Sequence, residues 1–328
     1  MNIRRRLIAP AALAGAVTLG ITSLSACSSS DAAEGSNGDK LDVVASFYPM
    51  EFLAERIGGS HVSVTNLTKP GVEPHDLELS PRQIGGLSDA DYILYLKGIQ
   101  PAVDDAVAQA GVKNTVDAAK LTTLENHSSE VGHDHGEGEE HGHEEEGEEH
   151  GHEEAGLDPH IWLDPVKYAE VAEGVGKSLE KADPDHAADY RKNTDTLVGE
   201  LNDLNTAYEN GLKDTGTKTF VTTHSAFGYL AERYGLTQQA IAGIDPEAEP
   251  SPARIEEIHH AAEESGATTV FFETLASDRT AKTLAKDLGL KTAVLDPLEG
   301  ITDKSAGDDY IEVMKSNLTA LQKALGSK

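Results

Sequence analysis

Histidine occurs in this sequence in two patterns, and both bear on metal chemistry. The first is dense. From Glu125 to Glu154 nearly every residue is His, Glu, Asp or Gly. In His133-Asp134-His135, His141-Gly142-His143 and His150-Gly151-His152 two imidazoles flank a single residue, and the neighbouring glycines leave the backbone free to close around a shared ion. Neutral imidazole suits zinc and other borderline transition metals, while carboxylates add charge and oxygen donors. These six histidines, with His127, are the expected members of an auxiliary, low-affinity metal-binding loop. A segment of this composition has no apolar face to bury, so a disordered insert is expected over 121–156.

The second pattern is sparse. His75 stands in Pro74-His75-Asp76-Leu77-Glu78-Leu79-Ser80-Pro81, and His160 in Leu157-Asp158-Pro159-His160-Ile161-Trp162-Leu163-Asp164-Pro165. His224 ends Phe220-Val221-Thr222-Thr223-His224, and Asp296 ends Ala293-Val294-Leu295-Asp296. In open parallel sheets, ligands bind beyond the C-terminal ends of strands. Residues of these types, in loops just past predicted strands or past the acidic insert, are candidates for one shared site. Three imidazoles and one carboxylate can complete a tetrahedral shell around Zn²⁺. Mn²⁺ would favour more oxygen donors. Glu273, after Val270-Phe271-Phe272, is the rival fourth ligand, or else the group that holds an imidazole in one tautomer. His61, His186, His259 and His260 are expected on the solvated surface.

The elements that must position these residues alternate. Strands are predicted at Leu41–Phe47, Val62–Leu67, Tyr92–Leu96 and Thr115–Ala119, then again at Lys218–Thr223, Gln238–Ile244, Thr268–Phe272 and Lys291–Leu295. Helices fall between them. Ser80-Pro81 and Ser251-Pro252 read as an N-cap followed by proline at the first helical position. Alternation of this kind means parallel sheets flanked by helices. Between the two runs, 166–213 carries no strand signal. Leu197, Leu201, Leu204 and Tyr208 recur at spacings of three and four, as on one face of a long helix of about 45 Å. The predicted fold class is therefore α/β. It has an N-terminal lobe over 41–165 and a C-terminal lobe over 214–328, joined by one rigid helix, with the metal site in the cleft between lobes.

Composition narrows the function classes. The chain has 328 residues and a formal net charge of −30, with 38% hydrophobic residues. Such a polyanion repels phosphates and excludes nucleic-acid binding, whereas it attracts cations. Met1 to Arg6 is short and basic, and an apolar stretch rich in Ala and Gly follows to Thr22. This is the layout of a signal peptide, assigned to 1–26. Leu24-Ser25-Ala26-Cys27 resembles a bacterial lipobox, and Cys27 is the only cysteine in the sequence. The expectation is lipidation at Cys27, a flexible tether over 27–40, and an extracytoplasmic monomer anchored to the cell membrane. No later apolar run is long enough to span a bilayer.

Together these segments resemble the metal-binding lipoproteins of bacterial ABC importers. The resemblance rests on the lipobox, Pro-His-Asp-Leu-Glu with Ser-Pro after it, Asp-Pro-His-Ile-Trp-Leu-Asp-Pro, Thr-Thr-His-Ser-Ala-Phe-Gly-Tyr-Leu and Glu-Pro-Ser-Pro-Ala-Arg-Ile. The zinc branch of that family is similar in its His- and acid-rich loop and in having His as third ligand, here His224, where manganese members have Glu. The resemblance implies that His75, His160 and His224 are ligands and that Asp296 matches the acidic C-terminal ligand. It implies a solute-binding protein, not an enzyme, that delivers Zn²⁺ to an ABC permease. Two other readings compete. A zinc-dependent hydrolase would use three ligands and an open position, but no H-E-x-x-H pairing is present and only Glu273 could serve as base. A metal-stabilised surface adhesin would need the ion only for its fold.

Overall fold

The computed structural model describes residues 40–127 and 157–327. The signal peptide, Cys27, the tether up to residue 39, and His133, His135, His141, His143, His150 and His152 lie outside the described residues.

Two four-stranded parallel sheets carry the architecture. In the first half β1 (Leu41–Ala45), β2 (Val62–Asn66), β3 (Tyr92–Tyr95) and β4 (Thr115–Asp117) line up in the order β2-β1-β3-β4. In the second half β5 (Thr219–Thr222), β6 (Thr237–Ala240), β7 (Thr269–Phe272) and β8 (Lys291–Val294) repeat that order as β6-β5-β7-β8. Every pairing is parallel. In each half the chain leaves the first strand on one side and returns on the other. The connections leaving the C-terminal ends of β1 and β3, and of β5 and β7, therefore run to opposite edges of each sheet, and the point where they part is where such sheets take ligands.

The first-half helices are α1 (Tyr48–Gly58), α2 (Pro81–Asp89) and α3 (Pro101–Ala110). Ser80 caps α2 in a reciprocal box with Gln83, and Pro81 follows it, as its sequence requires. The third helix is absent from the sequence reading. Its buried residues are Val103 and Val107, one turn apart among alanines and acids, and so thin a stripe gives little periodic signal. Then come α4 (Pro165–Ala182) and α5 (Ala187–Leu212). Proline at position 184 opens a short 3₁₀ turn, so α5 begins only at Ala187. Its 26 residues span about 39 Å, less than the sequence suggests. The remaining helices, α6 (Gly228–Arg233), α7 (Pro252–Ser265), α8 (Arg279–Leu288) and α9 (Tyr310–Leu325), belong to the second half.

The two halves share a core. One apolar cluster runs from Phe47, Met50 and Phe52 through Trp162, Tyr168 and the inner face of α5 to Phe220, Tyr310 and Met314. Buried phenols within it donate to backbone carbonyls, Tyr168 to Pro49 at 2.6 Å and Tyr208 to Met314 at 2.7 Å, which satisfies their hydroxyls inside the aromatic packing. Among the described residues no helix is long and apolar enough to cross a membrane.

Candidate metal centre

His75, His160, His224 and Glu299 come from four loops and meet at one point. Their nearest donor atoms all lie within 4.8 Å of one another. The Nε2 atoms of His75, His160 and His224 stand 3.3, 3.5 and 3.2 Å from the same Glu299 oxygen, Oε1. Donors on a tetrahedral shell of radius near 2.0 Å are about 3.3 Å apart, so these three separations already match the edges of such a shell. The side chains of His160, His224 and Glu299 have no exposure, and His75 has 7%.

Each loop has a reason for its path. His75 sits in the long connection after β2, which ends at the capped start of α2. His160 opens the 3₁₀ turn Ile161–Leu163, and Asp164 next to it caps α4 through its Oδ1 to the Val166 amide at 2.9 Å. Arg233 of α6 grips both oxygens of that aspartate. His224 follows β5, its carbonyl held by Thr222 Oγ1 at 2.7 Å. The Glu299 loop is pinned by two side chains from distant elements and bent by its own backbone. The Trp162 indole donates to the Pro297 carbonyl at 2.7 Å, Asn317 of α9 brackets the Asp296 backbone, and Leu298 adopts φ of +58°. A left-handed leucine is rare, and backbone strain of this kind collects at ligand sites.

The imidazoles are oriented from behind. His160 Nδ1 lies 2.7 Å from Asp158 Oδ1, and His224 Nδ1 lies 2.6 Å from Glu273 Oε1. A carboxylate can only accept, so both rings carry the proton on Nδ1 and turn Nε2 toward Glu299. Nε2 of His160 and of His224, and Oε2 of Glu299, have no hydrogen-bond partner although all three are buried. Orphaned atoms of that kind are costly unless a further group completes them, and a cation at their centre would do so. Burial opposes charging the His224 ring, but the carboxylates of Glu273 and Glu299 outweigh it and hold its pKa well above the usual histidine value. For His160 burial is likewise overcome, chiefly by Asp158, and its pKa is raised. Burial would lift Glu299, yet the surrounding imidazoles hold its carboxyl well below the ordinary range. This is a buried site built for positive charge.

A family model described as zinc-uptake complex component A, periplasmic, matches residues 43–324. The chain belongs to that family. Similar relatives of this zinc-uptake family include the zinc-binding protein AdcA of Streptococcus pyogenes, 40% identical over 292 residues that make up 86% of this chain and 56% of that protein. The chain thus spans little more than half the length of the streptococcal relatives it matches. The high-affinity zinc uptake system protein ZnuA of Bacillus subtilis is 39% identical over 304 residues, 91% of this chain and 92% of that one. Among solved structures, the Zn(II)-bound ZnuA-like domain of Streptococcus pneumoniae AdcA is 33% identical, with a TM-score of 0.70, covering 87% of this chain and 99% of that chain.

Against this geometry several of the expectations drawn from the sequence change. Asp296 does not join the imidazoles. Its Oδ1 accepts from the Leu298 amide at 2.8 Å and its Oδ2 from Thr274 Oγ1 at 3.1 Å, so both oxygens shape the turn that brings Glu299 forward. Asp296 is the first carboxylate past the strand and masks Glu299, whose one local signal is a Glu before Gly300 in the same loop. Of the two roles expected for Glu273, the contacts match the second: it lies against Nδ1 of His224, accepts also from Thr223 Oγ1, and is outside the group of four. Finally, residues 121–127 belong to the folded body. Leu121 and Leu124 pack on the main core, and His127 is 13% exposed, with Nδ1 at 3.0 Å from Asp158 Oδ2 and Nε2 at 2.7 Å from Glu232 Oε2. Among the other histidines, His61 and His186 stack on each other at 4.0 Å and pair with Asp189 and Asp183, so they are not freely solvated.

Proposed function

We propose that the chain is a zinc-capture protein that binds one Zn²⁺ tightly through His75, His160, His224 and Glu299 and delivers it to an ABC importer. The observation that carries this reading is the convergence of three Nε2 atoms on one Glu299 oxygen at tetrahedral edge lengths. Three nitrogen donors and a single carboxylate favour zinc over manganese. The carboxylate offsets half the charge of the ion, and the two acids behind His160 and His224 keep the rings in the ligating tautomer. A four-donor set of this kind closes the shell and leaves no open position for an activated water, which argues for carriage of the ion over hydrolysis. Lipidation at Cys27 would hold the monomer on the outer face of the cell membrane beside its permease, and the His-rich insert would raise the local zinc concentration.

Ligation requires the imidazoles to lose their Nε2 protons, so protons and zinc compete. Because the pKa values of His160 and His224 are raised, that competition extends above the ordinary histidine value of about 6.5. Zinc affinity is therefore expected to fall as pH drops from 8 to 6, by up to tenfold per pH unit for each proton displaced. Calorimetry in buffers of different ionisation enthalpy checks this by counting the protons released. Affinity that stays constant from pH 8 to 5.5, with no proton release, would overturn imidazole ligation.

A further inference from the structure

One carboxylate serves two imidazoles. Asp158, 1% exposed, accepts the His160 Nδ1–H on Oδ1 at 2.7 Å and faces His127 Nδ1 with Oδ2 at 3.0 Å. His127 in turn is held at Nε2 by Glu232 of α6 at 2.7 Å. The result is a hydrogen-bonded line, Glu232–His127–Asp158–His160, running from the surface of the second half to a ring at the buried centre. The surroundings are fitted to it. The His127 ring stands edge-on to Tyr229 with centroids 4.3 Å apart. Gly228 provides the room, since a Cβ there would lie 2.3 Å from the His127 Cβ and 2.8 Å from Asp158 Oδ2. Backbone bonds fix both ends: the Asp158 amide donates to the Glu125 carbonyl at 2.8 Å, and the Tyr229 hydroxyl donates to the Asp158 carbonyl at 2.7 Å.

We infer that His127 is a positioning residue for the metal centre, acting through Asp158 on His160. Asp158 Oδ1 also accepts the His160 backbone amide at 3.0 Å, but both of these bonds fall on one oxygen, about which the carboxylate can still turn. The bond from His127 to the other oxygen sets the plane of Asp158 and hence the direction of the Nδ1–H···O bond that aims His160. Without His127, a buried Asp158 oxygen loses its partner, and the carboxylate must rotate or admit water to recover one. Either change loosens His160 at the atom opposite its ligating nitrogen. Partners that orient ligands in this way typically govern metal affinity by 10- to 100-fold, and His127 stands one bond further out. The role differs from the one its sequence suggests, because His127 has both ring nitrogens engaged in the scaffold and acts as a support for a ligand.

The inference rests on His160 being a ligand, and the experiment separates the two. The full-length chain is loaded with one equivalent of Co²⁺, and the hyperfine-shifted, exchangeable imidazole N–H resonances are recorded by proton NMR, with His160→Gln identifying the His160 signal. Zinc affinity is measured in parallel by chelator competition, and the metal-free melting midpoint by calorimetry. His127→Ala is expected to lower zinc affinity about tenfold and to speed solvent exchange of the His160 N–H, leaving that of His224 unchanged. His127→Asn, which can keep a donor facing Asp158, is expected to recover most of both. Unchanged exchange and affinity in His127→Ala would overturn the inference, as would an affinity loss accompanied only by a lower melting midpoint. If the parent chain shows no His160 signal, ligation by His160 itself is wrong.

Discussion

Converting His75, His160 and His224 together to alanine is expected to abolish tight zinc binding by the full-length chain, leaving only weak uptake by its remaining acidic and histidine residues. The three rings contribute every nitrogen donor at the centre, and no other buried imidazole is within reach of Glu299 among the described residues. Zinc at a thousand times its Kd should stabilise the parent chain by about 4 kcal/mol, and this gain should vanish in the variant. The metal-free variant has its own defect. Glu299 is left fully buried with no imidazole beside it, a situation comparable to breaking a buried ion pair, which costs about 3–5 kcal/mol. Adding Glu299→Gln to the same chain is therefore expected to restore much of the metal-free stability without restoring zinc binding. Calorimetric titration and thermal melts on the parent, triple and quadruple variants check both halves. Tight binding retained in the triple variant would mean that the ion sits elsewhere.

The second large effect separates two carboxylates three residues apart. Glu299→Gln is expected to weaken zinc binding by more than about 100-fold, beyond the usual range for groups that only orient ligands. It replaces the anionic donor that faces all three rings with a neutral one. Part of the loss is offset, because Glu299 also helps raise the pKa of His224, and its removal eases proton competition there. Asp296→Asn is expected to cost about tenfold or less. An asparagine can still accept the Leu298 amide bond that shapes the turn. Affinities measured by chelator competition at pH 8 check the ranking. The reverse order would return the acidic ligand to Asp296.

The fold was legible because alternating strand and helix signals, with Ser-Pro starts at 80–81 and 251–252, leave little choice but two parallel sheets. The histidines were legible for a related reason: parallel sheets bind ligands past the ends of their strands, so His75 and His224 could be sought there. Glu299 was not, since its placement depends on a left-handed Leu298 and on Trp162 and Asn317 reaching in from distant elements. Nothing in a local window of sequence announces a turn held by residues about 20 and 135 positions away. The support behind the rings was hidden in the same way. Asp158 lies two residues before His160, but its link to His127 crosses the whole acidic insert.

Anomalous diffraction at the zinc edge, from crystals of the chain loaded with one equivalent of Zn²⁺, tests the central claim most directly. The expected result is a single strong peak bonded to Nε2 of His75, His160 and His224 and to a Glu299 oxygen, at about 2.0–2.2 Å. A principal peak within 128–156, or one bonded to fewer than three of these rings, would contradict it.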